Sequence, residues 1–362
     1  MRSGMRAKRA LCLAILLVTG TVVADAGVPV GTFSIVAFDP ETQELGVAVQ
    51  SRAFSVGAGV PWAESVVGAI ATQASTNESF GPRGLALLRS GYDAREVVDM
   101  LIGSDSGRDN RQLGVVDVRG GSASYTGNKC LVWAGDTTAV GLSAQGNILA
   151  GPTVLHEMVR AFSETDGELS EKLLAALRAA QAAGGDRRGQ QSAALLVVRP
   201  SDDYPEYRTR YVDLRVEDHT APIDELERVF RIHQASDLLR AHLRYAAMYD
   251  SLGNTSAAKR ERSRIGETLK SFLARDDADA GALNALAWYC ATADMYLEES
   301  LEAARRAATL EPENSGILDT LAEVLFRLGR RDEAVKTIDR AIAIDPEDSY
   351  LKSQRDRFLG RE

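Results

Sequence analysis

The sequence predicts an α+β domain, with β-sheets packed inside and helix pairs outside, followed by an all-α helical-repeat domain. Three observations carry this. Between Thr32 and about Glu217 the pattern runs strands, two helices, strands, two helices, strands. That order is not a series of βαβ units, which disfavours a doubly wound nucleotide-binding sheet. From Ile223 onward the chain is highly charged and helical in period, and beyond Gly281 it repeats itself.

The first residues read as a leader. Arg2, Arg6, Lys8 and Arg9 form a basic start, Ala10 to Val23 is mostly apolar, and Ala24-Asp25-Ala26 places small residues where a signal peptidase cuts. Residues 1–26 are expected to be a signal peptide, and the protein to be exported to a periplasmic or extracellular location. The apolar run is short for a membrane span, so no stable anchor is expected after cleavage. About 336 of the 362 residues remain, more than one ordinary core. The expected division is a sheet domain over 27–219, a helical linker or degenerate repeat over 220–280, and repeats over 281–362.

Cys12 lies in the leader. Cys130 and Cys290 are the remaining cysteines, too few and too far apart for a disulfide scaffold or a zinc set. No cofactor or metal is expected. The net charge of -9 argues against a nonspecific nucleic-acid surface.

Thr32 opens a β-branched and aromatic run, and Gly46-Val47-Ala48-Val49-Gln50-Ser51 reads as its hairpin partner. Phe54 to Trp62 is glycine-rich and reads as a loop. Val66 to Ala74 is a third, buried strand. Helices are expected from Gly81-Pro82 and from Asp93-Ala94, then strands at Gln112–Asp117, Ala123–Thr126 and Thr138–Gln145. Val154, Leu155, Met158, Val159 and Phe162 mark one further helix, and Leu169, Leu173, Leu174 and Leu177 another. The glycine-bracketed segment Ala183–Gly189 breaks it. Ser192–Val198 is a buried strand, and Tyr211–Val216 alternates as a half-exposed one.

Pro222 begins the helical tail, which Gly253-Asn254 interrupts. Leu286-Ala287 recurs as Leu321-Ala322, and Leu310-Glu311-Pro312-Glu313 as Ile344-Asp345-Pro346-Glu347, at spacings of 35 and 34. This resembles the tetratricopeptide repeat, whose antiparallel helix pairs stack because one pair cannot bury its own face. The resemblance implies a concave surface for a protein or peptide partner, with self-association left open. Trp288, Tyr289 and Cys290 fall where helix packing needs bulk.

Chemistry in the sheet domain is limited by what is missing. His156 is the one histidine well inside it, and no G-x-S-x-G elbow, H-E-x-x-H, calcium loop or P-loop occurs. What remains is hydroxyl and amide chemistry. Thr32 acts as a nucleophile only if its own α-amine is free, since an amine of pKa about 7.7–8.0 accepts the hydroxyl proton without a histidine. That demands removal of residues 1–31, whereas signal cleavage after Ala26 leaves Gly27–Gly31 in front.

The segments Thr32–Ala37, Gly46–Ser51, Val60-Pro61-Trp62, Ala71–Ala74, Arg111–Asp117, Tyr125-Thr126-Gly127, Gln145-Gly146-Asn147 and Ala183–Ala193 together resemble the DUF1028 family. The resemblance spans Thr32 to about Arg199. It implies a four-layer αββα sandwich of the N-terminal-nucleophile-hydrolase-like (Ntn-hydrolase-like) kind, without a fixed activity. Thr32 is then the candidate catalytic residue. Ser34 and Ser51 are expected on one cleft, Gln73 and Asn77 as substrate-orienting groups, and Asn147 as an oxyanion donor. Asp186 with Arg188 makes either a loop salt bridge or a substrate-carboxylate site. Two functions follow: an exported amidohydrolase or peptidase-like enzyme using Thr32, or a catalytically silent binding or scaffolding protein whose repeats recruit a partner.

Overall fold

The computed structural model describes residues 31–201 and 209–361. The expected leader and the residues before Gly31 lie outside the described residues. Among the described residues the sheet domain holds ten strands, five α-helices and a 3-10 turn over Arg108–Asn110: β1 (Thr32–Asp39), β2 (Glu44–Ser51), α1 (Val56–Gly59), β3 (Pro61–Glu64), β4 (Gly68–Ala74), α2 (Phe80–Arg89), α3 (Ala94–Gly103), β5 (Arg111–Asp117), β6 (Ser122–Thr126), β7 (Gly135–Ala139), β8 (Leu142–Asn147), α4 (Thr153–Glu164), α5 (Leu169–Ala182), β9 (Ser192–Val198) and β10 (Arg210–Val216). Two antiparallel sheets result, ordered β10-β9-β2-β1-β8-β7 and β3-β4-β5-β6.

Period-two alternation decides what each face buries. On β1, Phe33, Ile35 and Ala37 face a core shared with α4 and α5. Val36 instead packs with Ala69, Ala71 and Val116 of the second sheet. The outer face of that second sheet carries Ile70, Leu113 and Val115 against α2 and α3. The domain is therefore two antiparallel sheets flanked by helices. Asp93 opens α3 with a reciprocal capping box to Glu96, the pairing that its position before the apolar run calls for.

Two stretches depart from the sequence reading. Phe54–Trp62 is not only loop, because Val56–Gly59 forms one helical turn and Pro61 begins β3. Thr138–Gln145 is not one strand. It turns at Val140-Gly141, where Gly141 has φ +68°, so that β7 and β8 form a hairpin. Val140, at the tip, is 94% exposed, a place for a β-branched residue that pattern alone does not suggest.

The tail is all helical: α6 (Pro222–His233), a π turn over Gln234–Leu238, α7 (Leu239–Ser251), α8 (Thr255–Leu273), α9 (Ala280–Thr292), α10 (Leu297–Leu310), α11 (Ser315–Arg327), α12 (Arg331–Ile344) and α13 (Ser349–Leu359). Asn254, Asp279, Asn314 and Asp348 each accept a backbone N–H as N-caps. Ile223, Leu226, Phe230 and Tyr245 complete the core under α4 and α5, so the start of the tail shares its interior with the sheet domain. Cys290 is fully buried in the repeat core, with Tyr289 packed partly buried against it. Among the described residues no helix is long and apolar enough to cross a membrane.

Candidate functional site

Register brings the polar residues together. Thr32 is paired on one side with Ser51 and on the other with Asn147. Its nitrogen belongs to the Gly31–Thr32 peptide bond, and 1% of the residue is exposed. Thr32 Oγ1 donates to Ser51 Oγ at 3.0 Å, and Ser51 Oγ donates to the Gly31 carbonyl at 2.5 Å. Arg188 Nη2 reaches the same carbonyl at 3.0 Å. One peptide oxygen thus holds a hydroxyl and a guanidinium.

Asp186 fixes that guanidinium. Its carboxylate, fully buried, takes Arg188 Nη2 at 2.6 Å and Nε at 3.0 Å, together with the backbone N–H groups of Arg188 and Arg52. A buried charge needs such saturation, because stripping its water costs several kcal/mol. Gly31 is confined here, since a Cβ would lie 2.7 Å from Asp186 Oδ2 and 2.9 Å from Arg188 Nη2.

A second set of bonds fills the seam between the sheets. Ser34 Oγ donates to Gln73 Oε1 and accepts from Gln145 Nε2, both at 2.6 Å. Gln73 Nε2 donates to Gln112 Oε1 at 2.8 Å, and Asn147 Nδ2 donates to the same oxygen at 3.0 Å. Gln112 Nε2 reaches the Gly146 carbonyl at 2.8 Å and Thr126 Oγ1 at 2.9 Å. Ser34, Gln73, Gln112 and Gln145 have no exposed surface. The amides therefore bind one another, a closed network that is costly to leave half-made.

Of the sequence-predicted residues, Thr32, Ser34, Ser51, Gln73, Asn147, Asp186 and Arg188 converge on this seam and its end. Asn77 does not. It bonds to Asp105 Oδ2 at 3.4 Å and to Ser79 beside α2. There the hydrogen bond from Arg111, opposed by burial, holds Asp105 below the usual carboxylate range. His156 pairs with Glu157 on an exposed face. Gln112 and Gln145 were missed. Gln145 signals itself by phase, alternating with Ser143 and Asn147 on β8, whereas Gln112 on β5 is marked only by its pairing with Gln73 and Thr126. Among the described residues no group of three or more His, Cys, Asp or Glu side chains is placed to hold a metal ion.

The class is now defined: an α+β domain of two antiparallel sheets with helices on their outer faces and a buried hydroxyl–amide seam, joined to a helical-repeat tail. Residues 32–226 match the model of a family of unknown function, DUF1028, and the chain belongs to that family. Residues 297–355 match the tetratricopeptide repeat. Among solved structures, SPO2555 from Silicibacter pomeroyi, of the same family, is 35% identical with a TM-score of 0.53, over 57% of this chain and 88% of that one. The tetratricopeptide-repeat domain of Arabidopsis OM64 is 12% identical with a TM-score of 0.24, over 35% of this chain and 99% of that one. No curated protein matches the chain.

Proposed function

We propose that this is an exported binding protein whose helical repeats recruit a protein or peptide partner. With the Gly31–Thr32 bond intact, its sheet domain is catalytically silent. The observation that carries this reading is the state of Thr32. Its hydroxyl is spent on Ser51, 1% of the residue is exposed, and the amides around it are bound to each other; while the bond to Gly31 stands, its nitrogen is no base. The tail match to tetratricopeptide repeats supports a recruiting surface. Cross-linking of the full chain in its native compartment, followed by mass spectrometry, tests it. Cross-links on α9–α13 that persist in Thr32→Ala are expected. Their loss in Thr32→Ala would count against a silent sheet domain.

A second reading rests on one feature, the grip of Ser51 and Arg188 on the Gly31 carbonyl. Donors aimed at a carbonyl oxygen stabilise charge that develops there when the carbon is attacked. On this reading the fold is Ntn-hydrolase-like, the bond is cut, and Thr32 becomes an N-terminal nucleophile of an amidohydrolase. N-terminal sequencing of the mature protein separates the two. A chain starting at Thr32 favours the enzyme, and one starting upstream favours the silent domain.

A further inference from the structure

Four arginines gather where α5, α6 and the turn before α9 meet. Arg178 pairs with Glu227, Arg228 with Glu225 at 2.7 Å, and Arg275 with Asp277 at 2.8 Å. Among the described residues Arg231 has no carboxylate within ion-pair distance. It is partly buried, and two cavities of about 510 and 610 Å³ are each lined by Arg231 and Arg275. Burial, and then the neighbouring Arg275, Arg178 and Arg228, push its guanidinium below the usual range, with Asp277 opposing in part. The larger cavity has an apolar wall of Phe272, Ala282, Ala285 and Ile232, and Ile232 is 49% exposed; Asp277 and Asp279 line it too, the first paired with Arg275 and the second capping α9. Arg231 is thus the one guanidinium of the four without an ion-pair carboxylate among the described residues, and guanidinium takes carboxylate through two parallel bonds.

We infer that this crevice binds an acidic peptide segment, Arg231 taking a carboxylate while Ile232 and Phe272 take the apolar side chain next to it. The inference rests on the recruiting role of the tail and names the chemistry of its partner. The crevice lies between the end of α6 and the first turns of α9, at the entrance to the repeats. With a net charge of -9 the chain repels acidic peptides in general, so capture of one reports a local site.

The test is fluorescence anisotropy of the full chain with a labelled, end-capped (Gly-Leu-Glu)₃ peptide and its glutamine counterpart. The glutamate peptide is expected to bind at least about tenfold more tightly than the glutamine one, the scale of one charge-assisted contact. Arg231→Gln is expected to lose about the same factor, with an unchanged melting curve. Ala285→Glu, which places a negative charge on the wall of the same cavity, should lose it too. Arg340→Gln, remote on α12, should not. No binding to the wild type, equal binding of the two peptides, or undiminished binding by Arg231→Gln overturns the site. The recruiting role still stands in those cases if cross-links continue to fall on α9–α13. Displacement of the peptide by equimolar inorganic phosphate would reassign the crevice to a free oxyanion and overturn the peptide.

Discussion

Arg199, just past β9, donates through Nη2 to Glu261 of α8 at 2.5 Å, with 1% of one side chain and 2% of the other exposed. The guanidinium lies 3.9 Å from the Tyr245 ring and 5.2 Å from the Tyr211 ring. His242 Nδ1 adds a contact to Glu261 at 2.9 Å. Residues from β10, α7 and α8 therefore meet on one buried cation, just past β9, that joins the sheet domain to the tail. Arg199→Met leaves Glu261 without that partner, and the expected cost is about 3–5 kcal/mol in chemical denaturation. A loss under about 1 kcal/mol would show that the pair does not hold the two parts together.

Glu44 stands beside the same cation, 3.3 Å from Arg199. Burial foremost, then the Glu168 carboxylate, pushes its acid up to about 8, against the opposing pull of Arg199. Between the unfolded value of about 4.3 and that figure, the folded chain keeps a proton that the unfolded chain releases. Stability is therefore full at the acid end and falls as pH rises through this window. Glu44→Gln should flatten the fall, by about 1–3 kcal/mol at pH 8 relative to pH 5. The same pH slope in both proteins, by urea denaturation, would assign it elsewhere.

Gly114 of β5 faces the amide seam. A Cβ there would lie 2.6 Å from Gln145 Cδ and 2.7 Å from Ser143 Oγ. Gln145 is pinned by its bonds to Ser34 and Ser143 and has no exposed surface to retreat to. Gly114→Ala should cost about 1–3 kcal/mol, read as a lower denaturation midpoint. Gly316→Ala, in the first turn of α11 with its Cβ in ordinary contact 3.5 Å from Asn314 Oδ1, should instead gain up to about 1 kcal/mol.

Arg188→Ala removes the side-chain partner of Asp186 while two backbone N–H groups remain on the carboxylate. The expected cost is about 2–3 kcal/mol, less than for a carboxylate left wholly unpaired. Asp186→Asn with Arg188→Ala should recover part of it in a double-mutant cycle. Strict additivity of the two changes would show that the pair contributes no coupling.

Local signals were enough for much of this architecture. The period-two run from Thr32, the 3.6-residue spacing of Leu169 to Leu177 and the recurrence of Leu-Ala and the proline turns each lie within one element or one repeat, where chemistry and spacing act directly. The convergence of Thr32, Ser51 and Asn147 was half legible, because a hairpin pairs neighbours in sequence. Gln112 and Gln145 were not, since a polar residue on a strand declares its face only once another sheet packs against it. The same holds for Arg199, an ordinary surface residue by composition until β10, α7 and α8 close over it. Sequence by itself determined most of the elements, the repeat and the threonine at the first strand. Tertiary structure alone decided that this threonine is buried with its preceding carbonyl held by Ser51 and Arg188, because hydrogen bonds between segments 20 and 157 residues apart depend on packing that no local pattern encodes.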